Sequence, residues 1–150
     1  MLRIVPLMSR TLPDSAVETA ARAIELEALT EALDQRVARA LPTGAIDGAR
    51  YGDAYRAGST RAERERQIEL IVAVGMRLDE LVRKPLVHRT LKLMRRPARL
   101  AGLGDLQDFL EHGFAAFRTM DGAASFLELV RDRETAILND LFSGKPLAFS

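Results

Sequence analysis

Apolar residues recur every three or four positions along most of the chain, which is the spacing of a helix with one buried face. No segment alternates between apolar and polar residues in the way that indicates a strand. The pattern therefore predicts an all-α fold, a single-domain bundle of four or five helices whose corners are marked by Pro and Gly. The predicted helices span residues 15–41, 60–83, 85–96, 105–120 and 122–142.

Three predicted helices begin with a recognisable signal. Ser15 and Glu18, and again Thr60 and Glu63, have the spacing of a capping box, in which each side chain accepts a hydrogen bond from the other residue's backbone N–H. Pro85 suits the first turn of a helix, because the N–H that it lacks would have no acceptor there. These signals predict the starts of the helices near residues 15, 60 and 85.

The segments between the helices are rich in turn-forming residues. Residues 42–59 predict a loop that could include a short helical turn, and residues 97–104 predict a connector. Asp121 is placed to cap the last helix. We expect residues 1–13 to form an extended arm and residues 143–150 a short tail.

The distribution of apolar residues around each helix predicts its neighbours. The helix over 60–83 is apolar around most of its circumference, so we expect it at the centre of the bundle, under a hairpin of the last two helices. In the helix over 105–120, Gly113 lies in the apolar face and predicts a close approach by a neighbouring helix. The helix over 15–41 carries two opposed stripes. The second stripe could pack within the chain or form a homodimer.

Composition restricts the class of protein. The chain has 150 residues and is 47% apolar, so it can bury the core of one ordinary domain. It contains no cysteine, which excludes disulfides, thiolate metal sites and cysteine nucleophiles. We find no run of apolar residues long enough for a membrane span or a signal-peptide core. We therefore expect a cytoplasmic protein.

Charge is distributed unevenly, although the formal net charge is only +1. Seven Arg and Lys residues and no acid lie between Arg83 and Gly102. Around the predicted helix over 85–96, the bases occupy one face and the apolar residues occupy the opposite face. This basic face is the candidate binding surface, and its residues are Arg89, Lys92, Arg95, Arg96 and Arg99.

Three interpretations of the basic face stay open. Acidic residues of the helices after Gly104 could fold across it and neutralise it. Alternatively, it binds an acidic protein or a nucleic acid, although the segment lacks aromatic side chains for stacking on bases. Attachment to an anionic membrane surface is disfavoured, because the helix is short and has no Trp or Phe on its apolar face.

Candidate catalytic chemistry is sparse. The two histidines, His88 and His112, lack the spacing of metal ligands, so we expect no metal, no cofactor and no assignable catalytic residue. Glu134 falls within the apolar face of the last helix, and Asp79 points toward an apolar arc. Each is a candidate buried charge, which would be paired or have a raised pKa.

Two functions are consistent with these patterns. The favoured one is a non-enzymatic binding, adaptor or regulatory protein that uses the basic amphipathic helix over 85–99. The alternative is an enzyme or small-ligand-binding bundle that holds an anion between helices, near Glu134 and the cluster of Arg95, Arg96 and Arg99.

Overall fold

The computed structural model of the chain describes residues 14–120 and 122–147. Within these residues the fold is all-α, as predicted, and has no strand. The predicted N-terminal arm, the cap at Asp121 and the last three residues of the tail lie outside the described residues. The helices are α1 (Asp14–Ala40), α2 (Gly48–Gly58), α3 (Arg61–Val82), α4 (Pro85–Leu93), α5 (Arg95–Leu100), α6 (Gly104–Thr119) and α7 (Ala124–Phe142).

The helix α2 lies where the sequence predicted mainly a loop. Asp47 caps it, because its carboxylate accepts a hydrogen bond of 2.8 Å from the backbone N–H of Arg50. The glycines in this segment weaken its helical propensity, but α2 packs against both α1 and α7. Tertiary packing therefore makes this segment helical.

The helix predicted over 85–96 is divided into α4 and α5 at Met94, and helical structure continues to Leu100. Pro97 does not end it, contrary to the prediction. As the third residue of α5, Pro97 occupies a first turn, where a backbone N–H has no acceptor within the same helix.

The helix α3 lies at the centre of the fold, as its apolar circumference predicted. It packs against α1, α4, α6 and α7, and a single helical domain fits these contacts. The predicted hairpin of the last two helices is wrong for the described residues, because α6 packs against α3 and α5 instead of lying along α7. The largest fully buried side chains are Leu33, Leu70, Leu138 and Leu141.

The closest helix contacts occur at glycines other than Gly113. A Cβ atom on Gly58 would lie 2.6 Å from the backbone nitrogen of Val37 in α1. One on Gly75 would lie 2.5 Å from the Leu127 side chain in α7. No described residue outside its own helical backbone lies within 4 Å of a Cβ on Gly113, so the close approach predicted there is wrong for the described residues.

One of the two predicted capping boxes is present. The Glu63 N–H donates to the Thr60 hydroxyl over 3.2 Å, and the Thr60 N–H donates to the Glu63 carboxylate over 3.0 Å. Ser15 lies within α1 instead of preceding it, so the box predicted there is wrong.

Candidate interaction surface

The five predicted binding residues lie on α4 and α5, which follow an almost continuous helical path. Backbone hydrogen bonds from Met94 to Thr90, at 3.1 Å, and from Ala98 to Met94, at 2.9 Å, cross the division between the two helices. All five bases are exposed. The structure therefore presents them together, on one short stretch of helix.

Among the residues that the structure describes, only one of these bases is paired with an acid. The Nε atom of Arg95 donates to the carboxylate of Glu111 in α6 over 2.6 Å. In residues 14–120 and 122–147, no carboxylate oxygen lies within 4.0 Å of the charged nitrogens of the other four bases. The described acidic residues that follow Gly104 thus pair with the face at a single position.

Two titrating groups beside this face, Glu111 and His88, have lowered pKa values. The hydrogen bond from Arg95 holds the pKa of Glu111 below that of an ordinary glutamate. Partial desolvation lowers the pKa of His88, and the charges of Arg118, Lys92 and Arg95 lower it further. Desolvation and these cations therefore both disfavour the protonated form of His88.

A cleft of about 460 Å³ lies between α4–α5 and α6. Three arginines line it, Arg95, Arg99 and Arg118, together with both histidines and the carboxylates of Asp108 and Glu111. The cleft has the size of a small-ligand site, but its own carboxylates offset part of its positive charge.

Glu134 is not buried, and it does not line this cleft. Its side chain is exposed beside α2, where its negative charge adds to the effect of burial in raising the pKa of Tyr55. The inward face of α7 is formed by Leu127, Leu138 and Leu141. Glu134 shares the angular position of these three leucines, but it lies between them along the helix, at a point that no described neighbour buries. The prediction of a buried charge is therefore wrong.

Asp79 lies mostly out of solvent, and its charge is compensated locally. Its carboxylate accepts a hydrogen bond of 3.0 Å from Arg83, one helical turn later. The two acids singled out in the sequence do not form a site with the basic residues.

Sequence reasoning missed the exposure of the apolar face of α4 and α5. No residue of α4 is buried in the described fold. Leu86, Leu93 and Leu100 are 67%, 78% and 83% exposed, and we call them the leucine ridge. Their seven-residue spacing indicates that the three leucines share one helix face. The helix was predicted to end before Pro97, so Leu100 was not counted on that face.

Comparison with known proteins identifies the family. The chain matches, over residues 1–148, the model of a family described as a domain of unknown function (DUF8198). The chain belongs to this family. No curated protein and no solved structure matches it. Membership of DUF8198 assigns no ligand, so the geometry of the surface is the basis for inferring a function.

Two further findings concern this DUF8198 chain. No helix in the described ranges is both long enough and apolar enough to cross a membrane. Among the same residues, no group of three or more His, Asp and Glu side chains is arranged to hold a metal ion.

Proposed function

We propose that this protein is a small non-enzymatic binding protein of adaptor or regulatory type, which engages an acidic protein or a nucleic acid through the basic face of α4 and α5. The observation that carries the proposal is that four of its five bases are exposed and lack a carboxylate partner among the described residues. Clustered like charges repel one another, and an anionic partner relieves this repulsion while releasing counterions.

Arginines elsewhere in the fold provide a contrast. Arg36 pairs with Glu63 over 3.1 Å, and Arg66 pairs with Glu25 over 2.9 Å, so each of these links α1 to α3. Arg64 is buried and lies over the ring of Tyr55. These three arginines have partners within the fold, whereas four of the five bases of the basic face have no carboxylate partner among the described residues. Its charge therefore contributes little to folding and is free for binding.

Binding of two polyanions tests the proposal. Fluorescence anisotropy would follow a labelled single-stranded oligonucleotide and labelled poly-glutamate at low and physiological salt. The double variant Arg89→Glu/Arg96→Glu should weaken binding of at least one of them roughly tenfold or more, because it reverses two unpaired charges.

A matched control separates the basic face from overall charge. The variant Arg131→Glu/Arg133→Glu makes the same change in net charge at exposed positions of α7. It should leave most of the affinity intact. Equal losses in both variants, or no binding to either polyanion at low salt, would refute a dedicated basic face.

The cleft between α4–α5 and α6 favours a second candidate function, the binding of a small anionic ligand. A phosphate group in the cleft would lie near Arg99 and Arg118, and its charge would raise the pKa of His88. Titration of His88 by NMR with and without inorganic phosphate tests this candidate. An unchanged His88 pKa at millimolar phosphate would count against it.

A further inference from the structure

We propose that the partner is an acidic amphipathic helix, which packs its apolar stripe along the leucine ridge and places carboxylates beside Arg89 and Arg96. This inference rests on the proposed function, because it names the class of partner that the basic face would engage. It is carried by the arrangement of exposed apolar and basic residues along α4 and α5.

The leucine ridge is an apolar surface without a partner among the described residues. Its three leucines are each more than two-thirds exposed, and they are neighbours on one helical path. Scattered apolar residues on a surface are ordinary, whereas a row of them beside bases is typical of an interaction site. A partner that covers the ridge removes this apolar area from water.

The spacing indicates the shape of the partner. Residues seven apart lie along the seam by which one helix packs against another. Arg89 and Arg96 have the same spacing and flank the ridge on one side, while Val87 and Met94 flank it on the other. Flanking charges select the partner in such pairings, so the matching helix carries an apolar stripe with carboxylates along one edge.

A second copy of the ridge does not supply these carboxylates. In an antiparallel pair, Arg89 and Arg96 of one copy would face the same two residues of the other, which is repulsive. In a parallel pair, they would face the apolar flank that holds Val87 and Met94. Neither arrangement pairs the arginines with an acid.

A nucleic acid or a lipid surface accounts for less of the arrangement. Phosphates would engage the arginines but leave the leucines in water, since α4 and α5 contain no aromatic side chain to stack on bases. An anionic bilayer would accept both residue types, but it does not require a seven-residue spacing. An acidic amphipathic helix would cover the leucines, pair with the arginines and match the seven-residue spacing of both.

The experiment measures binding of designed peptides to the full chain. The main probe is a fluorescent peptide of about 20 residues, with Leu at the seam positions and Glu at the flanking positions. Two control peptides replace either Leu by Ser or Glu by Lys. The Leu and Glu peptide should bind, and each control peptide should bind roughly tenfold more weakly or worse.

Protein variants locate the binding. Leu93→Ser/Leu100→Ser should weaken binding of the Leu and Glu peptide by roughly tenfold or more, and leave oligonucleotide binding unchanged. The control variant Phe126→Ser/Leu129→Ser changes two half-exposed residues of α7 and should leave peptide binding unchanged. The variant Arg89→Glu/Arg96→Glu should bind the Lys-flanked peptide more tightly than the Glu-flanked peptide. A general loss of folding would not reverse the order of the two affinities.

The outcomes separate this inference from the proposed function. If the serine variants bind the peptide as wild type does, or if the Ser-substituted peptide binds equally well, the inference is wrong. If phosphatidylcholine vesicles with about 30% phosphatidylserine bind in a leucine-dependent way and the peptide does not, the occupant is a lipid surface. A different result would refute the proposed function: Arg89→Glu/Arg96→Glu, which reverses two charges, would bind both polyanions as tightly as the wild type does. Thermal melting checks that each variant is folded.

Discussion

The helices α1, α2, α3 and α7 form a packed region, whereas α4, α5 and α6 form an outer region that is mostly exposed. The packed region holds almost all of the core among the described residues. The outer region buries only Ala98 and Gln107. Both regions have amphipathic helices, so the difference shows that an apolar helix face need not be buried by the other described helices.

Polar contacts differ between the two regions in the same way. In the packed region, Gln67 donates to Thr30 over 2.9 Å, and Arg61 donates to Asn139 over 2.7 Å. The amide of Gln107 donates to the carbonyl of Leu91 over 2.7 Å and, with the pair of Arg95 and Glu111, links α6 to α4 and α5. Side-chain caps are present at the starts of α2 and α3, whereas α4, α5 and α6, like α7 of the packed region, have none in the described fold. The outer region is therefore held by fewer contacts and is open to a partner.

Replacing a leucine by alanine should give the largest difference in stability between the two regions. Leu33→Ala, at a fully buried position, should lower the free energy of unfolding by about 2–5 kcal/mol, because it leaves a cavity. Leu100→Ala should change it by less than about 0.5 kcal/mol. Urea unfolding measures both, and similar losses would contradict the division into two regions.

The free energy of local opening should differ by several kcal/mol between the outer region and the packed region. Backbone amides in α4–α6 should exchange with solvent through openings of lower free energy than those in α3, since few buried contacts hold them. Native-state hydrogen exchange gives these values residue by residue. Equal protection in α3 and α6 would mean that the outer region opens only when the whole chain unfolds.

Two glycine substitutions should act in opposite directions. Gly58→Ala should lower stability by about 1–3 kcal/mol, because its methyl group would meet the backbone of α1 at 2.6 Å. Gly113→Ala should raise stability by about 0.5–1 kcal/mol, because alanine favours the helix and the methyl group has open space. Thermal melting of the two variants tests the pair. A destabilised Gly113→Ala protein would indicate a neighbour at α6.

The cap of α3 should contribute about 1 kcal/mol. Thr60→Ala removes the hydroxyl that accepts the Glu63 N–H and should cost about that amount. Ser15→Ala is the control, because Ser15 lies within α1 and should have little effect. Chemical denaturation compares them, and equal effects would mean that the cap has no special role.

The smallest effect concerns the ion pair in the outer region. Arg95→Gln should raise the pKa of Glu111 toward that of an ordinary glutamate, since the hydrogen bond from Arg95 is the main cause of its low value. Because the pKa of Glu111 is lowered on folding, its contribution to stability is present above the ordinary carboxyl pKa. It is lost as the pH falls through the lowered value. NMR titration measures the shift, with Arg96→Gln as the control that should leave Glu111 unchanged.

Local features were predictable to different degrees. The capping box at Thr60 and the central position of α3 could be predicted from the sequence, because each follows from residues within one helix. The helix α2 was missed because its stability depends on α1 and α7. The predicted burial of Glu134 was wrong, because a helical wheel does not show how much of a face a neighbouring helix covers.

The sequence by itself determined the helical class, the segregation of bases and leucines along α4 and α5, and the start of α3. These features depend on residues within about one or two helical turns, whose spacing a sequence displays directly. Only the tertiary structure decided three further features of the described residues. Arg95 is the one base of the basic face that pairs with an acid, Gly58 contacts Val37, and the leucine ridge stays uncovered among these residues. Those outcomes depend on helices distant along the chain, because packing selects which faces meet.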